Sequence, residues 1–201
     1  MTVTEALRKR RSIKAYDPHF EIPAEEIREL IEVALETPSS FNLQHWRLAL
    51  VTDPARKQAL CEASWGQRHV AEASLVVVIA GNPQAHEEAE RYWVNSPPEV
   101  QRKMAAMIRS FYADPLLQRD ESIRSSALLG MSIMLAATER GWATCPMIGF
   151  APDKVKNILK IPENWFPALM ITIGKGLKEA RPKSGQLTFE EVVFFHDLKK
   201  I

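Results

Sequence analysis

Residues 75–80, LVVVIA, constrain the fold more than any other stretch of this 201-residue chain. They are wholly apolar and mostly β-branched, so neither alternate set of side chains suits water, and the run reads as a strand buried on both faces. Such a strand needs cover on two sides. Residues 168–173, ALMITI, form a second run of this kind, and residues 46–52 a third candidate strand. Helical patterns surround them. Thr2 and Glu5 have capping-box spacing ahead of a short helix over 2–10. Pro23 opens a second helix at its first position, with Ile27, Leu30, Ile31, Ala34 and Leu35 on one apolar face. Thr37-Pro38 ends it. Asp53-Pro54 caps a third helix running to about Ser64. Residues 84–93 and 98–113 read as helices broken at 95–98, NSPP. Residues 121–140 form a long helix that is apolar nearly all round (ALLGMSIMLAA) and closes at Gly141. A further short helix spans 153–159, and residues 12–16 read as extended. Strands interspersed with helices predict a single mixed α+β or α/β domain over 1–201.

Composition narrows the function classes. The chain is 46% apolar and 25% charged, which is ordinary globular usage, and 26 Lys and Arg face 25 Asp and Glu for a formal charge of +1. No global field draws such a chain onto nucleic acid or a membrane surface, and neither partner is expected. The opening residues, MTVTEALRKRRS, hold no apolar run of the signal-peptide kind, and a cytoplasmic location is expected. Cys61 and Cys145 are far apart with no CxxC, so they read as buried thiols rather than a disulfide or zinc framework. The five histidines show no ligand spacing, and no metal site is expected. The phosphate-loop, GxGxxG, HExxH and GxSxG signatures are all absent.

Three polar clusters remain. In the first, Arg8, Lys9, Arg10, Arg11 and Lys14 bracket Ser12, with Glu5 the only acid in the first fourteen residues. Arginine forks with a hydroxyl suit a phosphate monoester, though a solvated basic helix end would look the same. The second cluster, residues 38–46 (PSSFNLQHW), offers hydroxyls, amides and an aromatic to a polar heterocycle, or is a plain turn. The third, residues 143–150 (ATCPMIGF), offers backbone amides to a ring system, or is simply a loop with Pro and Gly. None of the three decides the matter alone.

Taken together, RRSIKAYDP, PSSFNLQHW, GWATCPMIGF after the long helix, and PALMITIGKG before a basic tail resemble the FMN-dependent nitroreductase family over residues 4–195. The resemblance implies an α+β fold with a central, mainly antiparallel sheet flanked by helices. It further implies a homodimer with FMN at the subunit interface and a C-terminal arm, residues 187–201, exchanged between subunits. Arg10, Arg11 and Ser12 would hold the FMN phosphate and ribityl chain, with Arg181 and Lys183 completing that site. Lys14 would sit near the pyrimidine edge, where a cation stabilises the charge of reduced flavin. Pro38, Ser39, Ser40 and Asn42 would reach the flavin from the other subunit. Gln67 and His69 match the segment near the pyrimidine ring, with Gly66 where the family often has Asn. Pro146, Met147, Ile148 and Gly149 match the loop whose amides approach N5 and O4. The family's QPW is here Gln44-His45-Trp46, so His45 is expected to be structural or exposed.

The implied chemistry is ping-pong hydride transfer from NAD(P)H through flavin N5 to a nitroaromatic, quinone or similar small oxidant. No side chain is singled out as a general acid. Residues 84–113 would cover the pocket, with Tyr92, Trp93, Met104, Met107, Ile108 and Phe111 as apolar contacts, or as core and interface packing. Two alternatives stay open: different flavin chemistry on the same fold (a dehalogenase, a dehydrogenase or a flavin-degrading enzyme), and a flavin-binding protein without turnover.

Overall fold

Residues 1–198 are described by the computed structural model; the last three residues of the expected arm, 199–201, lie outside them. Four strands form the sheet: β1 (Trp46–Val51), β2 (Leu75–Gly81), β3 (Ala143–Met147) and β4 (Phe166–Gly174). Their order is β1-β2-β4-β3, and every neighbouring pair is antiparallel. The run at 75–80 is an inner strand whose seven residues are all buried. Its alternation divides the protein in two. Leu75, Val77 and Ile79 enter one core, and Val76 and Val78 enter another on the opposite face.

Helices close both faces. The first core packs α2 (Ala24–Ala34) and α6 (Pro115–Glu139) against the sheet through Leu30, Ala34, Leu129 and Ile133, all fully buried. Gly130 permits the close approach of α6, since a methyl group there would come within 2.5 Å of the Leu169 side chain. The second core takes α3 (Pro54–Ala63), α4 (His69–Glu72) and α7 (Pro152–Leu159), with Leu60, Val70 and Val155 fully buried. A third, smaller core lies under α5 (Pro98–Phe111) and a 3-10 segment over Ala85–Trp93. The N-terminal α1 (Val3–Lys9) has the Thr2–Glu5 capping box the spacing predicts. The four-residue α8 (Phe189–Val192) lies in the arm, where Leu187, Phe189 and Phe195 are exposed.

Several expectations need correction. Residues 143–147 form the edge strand β3 rather than a loop, and the edge position tolerates Pro146 because a missing N–H there breaks no inner ladder. The long helix begins at Pro115 rather than 121, because Asp114 caps it by accepting from the Leu116 N–H at 2.9 Å. Pro23 is the N-cap of α2 rather than its first residue, and Leu35, just past its end, is 42% exposed rather than on the buried face. Residues 85–93 wind as 3-10 helix with a kink at Glu88. The extended segment 12–16 forms no strand of the sheet; isolated bridges tie Ser12 to Thr144 of β3 and Tyr16 to Gly176, just past the end of β4.

Candidate functional site

The end of α1 and the start of the basic tail converge on one cleft of about 790 Å³. Arg10, Arg11 and Lys14 line it from one side and Lys178, Arg181 and Lys183 from the other, with Glu179 the single acid among its lining residues. Ser12 is also in the wall. A side-chain bond ties the two segments, the Arg11 guanidinium donating to the Arg181 carbonyl. Arg10 Nη1 is buried and has no partner among the described residues, and the same holds for the hydroxyl of Thr144, whose backbone pairs with the Ser12 segment. A buried guanidinium nitrogen without an acceptor is costly, and an anionic oxygen is the group that would satisfy it. Six cations lining one cleft, Arg10 with its buried nitrogen among them, fit a phosphate monoester.

Next to the cleft, Lys14 lies close enough to act on two buried groups. His69 is almost wholly buried, and its pKa is lowered by burial first and by Lys14 second, with Glu72 opposing. Burial likewise pushes the Cys145 thiol up, with Lys14, Ser12 and Arg10 opposing. His69 Nε2 has no partner among the described residues. Gln67 Nε2 donates to the Gly149 carbonyl at 2.9 Å, which joins the 66–69 segment to the loop after β3. Pro146, Met147 and Gly149 are half-buried there, and Ile148 is 77% exposed. The structure therefore brings together Arg10, Arg11, Ser12, Lys14, Arg181 and Lys183, and sets Gln67, His69 and residues 146–149 beside them.

Pro38, Ser39, Ser40 and Asn42 do not line this cleft. They sit over the third core, where Phe41 meets Phe111 edge-on with ring centroids 5.6 Å apart. The expected cover residues are there too. Met107 and Phe111 are exposed, Met104, Tyr92 and Trp93 are half-buried, and Ile108 is fully buried, so it packs rather than presenting a surface. His45 takes the structural alternative: it is fully buried beside Tyr112 and Ser125, and burial lowers its pKa to about 4.

One residue escaped the sequence reading. Trp65 is 71% exposed and stands beside Gly149, where a methyl group would come within 3.3 Å of both the Trp65 ring and Gln67 Nε2. Trp65 and Gly66 both have positive φ, 55° and 73°. The available signal was an aromatic immediately before a glycine in a polar stretch. Among the described residues no His, Cys, Asp and Glu cluster could hold a metal ion, and no helix is long and apolar enough to cross a membrane.

Residues 7–175 match the model of the Nitroreductase family. Protein DrgA of Synechocystis sp. is 39% identical over 185 residues, covering 91% of this chain and 88% of that protein. A Thermus thermophilus protein named NADH dehydrogenase is 37% identical, covering 93% of this chain and 92% of its own. A crystal structure from Exiguobacterium sibiricum, in complex with FMN, superposes with a TM-score of 0.89 at 26% identity, covering 97% of both chains. With a fold and near-full-length matches that agree, the chain belongs to the Nitroreductase family.

Proposed function

We propose that this protein is an NAD(P)H-dependent oxidoreductase that uses FMN to reduce a small oxidant such as a nitroaromatic or a quinone. The observation that carries the proposal is the cleft in which Arg10, with its buried unpartnered nitrogen, meets Arg181 and Lys183 from the far end of the chain. The residues present fit FMN: the cations and Ser12 suit its phosphate and ribityl chain, and the 146–149 loop beside Lys14 and Gln67 suits its ring. The FMN complex of the Exiguobacterium relative supports the cofactor, and the name of the Thermus relative supports NADH as a reductant.

In this reading Arg10, Arg11, Arg181 and Lys183 bind the phosphate, and Lys14 supplies a fixed cation at the ring's polar edge. When bound, FMN supplies hydride acceptance and donation, which lets reductant and oxidant use one site in turn. Gln67 holds the Gly149 carbonyl and so fixes the loop that would face the ring. Pro38, Ser39, Ser40 and Asn42 would come from a second copy of the chain. Support for that homodimer is the arm, whose Leu187 is 69% exposed, Phe195 75% and Leu198 87%, apolar surface that a partner subunit would cover.

The deciding experiment is the absorbance spectrum of the purified protein, followed by NADH or NADPH under anaerobic conditions. Flavin absorbance that bleaches, then returns on adding a nitroaromatic or quinone, establishes both half-reactions. Bound flavin that neither nucleotide reduces points to different flavin chemistry or to a flavin-holding role. No flavin after reconstitution with FMN overturns the proposal.

A further inference from the structure

A buried polar cluster lies beneath the 38–42 loop, and nothing in the binding of the phosphate or ring uses it. The loop is strained. Phe41, Asn42 and Gln44 are non-glycine residues at φ of 50°, 55° and 47°. Such backbone persists only where the surroundings impose it. Two hydroxyl contacts and one aromatic do so here. Ser39 Oγ accepts from the Gln44 N–H at 2.9 Å, the Tyr112 hydroxyl donates to Ser40 Oγ at 2.6 Å, and Phe41 packs edge-on against both Phe111 and Tyr112.

Tyr112 is itself held on every side. It is 1% exposed, at the C-terminal end of α5, and its carbonyl accepts from Gln118 Nε2 of α6 at 2.7 Å. The His45 and His86 rings each lie 5.7 Å from its ring. Behind His45, Ser125 Oγ stands 3.4 Å from Nδ1 and donates to Glu121 at 2.9 Å. The phenol therefore has one place to send its proton, and that place is Ser40. Because Ser40 accepts this bond, its own hydroxyl proton is left for an acceptor outside the cluster, and accepting strengthens it as a donor.

We infer that Tyr112 is a positioning residue: through its bond to Ser40 it fixes the strained loop and directs the Ser40 hydroxyl toward the FMN of the second subunit. The inference rests on the proposal that this loop meets FMN across a dimer. It ties α5, the cover over the expected substrate pocket, to the loop that would grip the cofactor. The phenolic hydroxyl, not the ring, is what matters.

The test is titration of the apo-protein with FMN, read by quenching of flavin fluorescence, for the wild type, Tyr112→Phe, Ser40→Ala and the double variant. Melting of each apo-protein is followed by circular dichroism. Tyr112→Phe is expected to weaken FMN binding about 3- to 10-fold, the effect of one hydrogen bond. Ser40→Ala should weaken it at least as much, and the double variant no further, because the phenol acts only through Ser40. A merely structural tyrosine would lower the melting temperature and leave FMN affinity unchanged, which overturns the inference. So do multiplying effects in the double variant. If Ser40→Ala and Tyr112→Phe both bind FMN normally while Arg10→Ala does not, the loop is not at the cofactor and the inference falls with the phosphate site intact. Normal binding in Ser40→Ala, Tyr112→Phe and Arg10→Ala overturns the inference and places the FMN phosphate away from Arg10, whereas no FMN binding by the wild type overturns the FMN reading itself.

Discussion

Replacing Arg10 with alanine removes a cation whose Nη1 is buried and has no hydrogen-bond partner among the described residues. If FMN phosphate supplies that partner, the bond is charge-assisted and formed partly out of water, worth about 1.5–3 kcal/mol. That corresponds to roughly 10- to 150-fold weaker FMN binding. Arg181 lines the same cleft but is exposed, and its carbonyl, which accepts from Arg11, survives substitution. Its side chain acts as a solvated charge, so Arg181→Ala should cost only a few-fold, and that loss should vanish near 1 M salt, where the Debye length is about 3 Å. Fluorescence titration of each apo-protein at low and high ionic strength separates the two. Arg10→Ala within a factor of about two of wild type would refute the reasoning, since a buried charge-assisted bond cannot be that weak. The double variant Arg10→Ala/Arg181→Ala should purify colourless yet dimeric; full FMN occupancy in it would place the phosphate elsewhere.

Stability should fall in mild acid. Burial lowers the His45 pKa to about 4 from 6.5 in the folded protein, with Glu121 opposing and His86 reinforcing. The unfolded chain therefore binds a proton that the fold refuses, so the contribution is complete above pH 6.5 and is lost as pH falls toward 4. The total is roughly 3 kcal/mol. Urea midpoints at several pH values measure it, and His45→Gln should flatten the slope; an unchanged slope would move the effect to His69. Gln67→Ala removes the bond to the Gly149 carbonyl and should cost about 1 kcal/mol of stability. Amide exchange over 146–149 should quicken in the same variant, and unaltered exchange would show that the loop holds itself. Ile79→Ala empties a fully buried position between the sheet and α6 and should cost about 2–5 kcal/mol by urea unfolding, whereas less than 1 would mean the site collapses.

Much of this fold was legible where side-chain period and caps agreed. Residues 75–80 announced an inner strand, Thr2 with Glu5 and Asp53 with Pro54 announced helix starts, and each stands within a residue or two of its expected place. The edge strand β3 was not legible, since Ala143-Thr-Cys-Pro-Met147 has no alternation and contains a proline. It is a strand only because β4 supplies a partner. The winding of 85–93 depends on packing over the third core rather than on propensity, so the 3-10 form was hidden as well. For the site, the residue types of each cluster were visible, but their meeting was not. Arg11 and Arg181 stand 170 positions apart, and no local pattern links them. Nor does any propensity foretell three non-glycine residues at positive φ around Asn42, because tertiary contacts impose that shape.

The bond between Arg11 and the Arg181 carbonyl carries a consequence for biosynthesis. The two walls of the cleft stand 170 positions apart, so one leaves the ribosome well before the other. A nascent chain that has already paired β1 with β2 still lacks Lys178, Arg181 and Lys183, half of the cations that line the cleft. Closing so long a loop is slow relative to local helix and hairpin formation. If FMN binds in this cleft as proposed, its capture should wait for the second wall: a translation product truncated before residue 178 would fold much of its sheet and stay colourless.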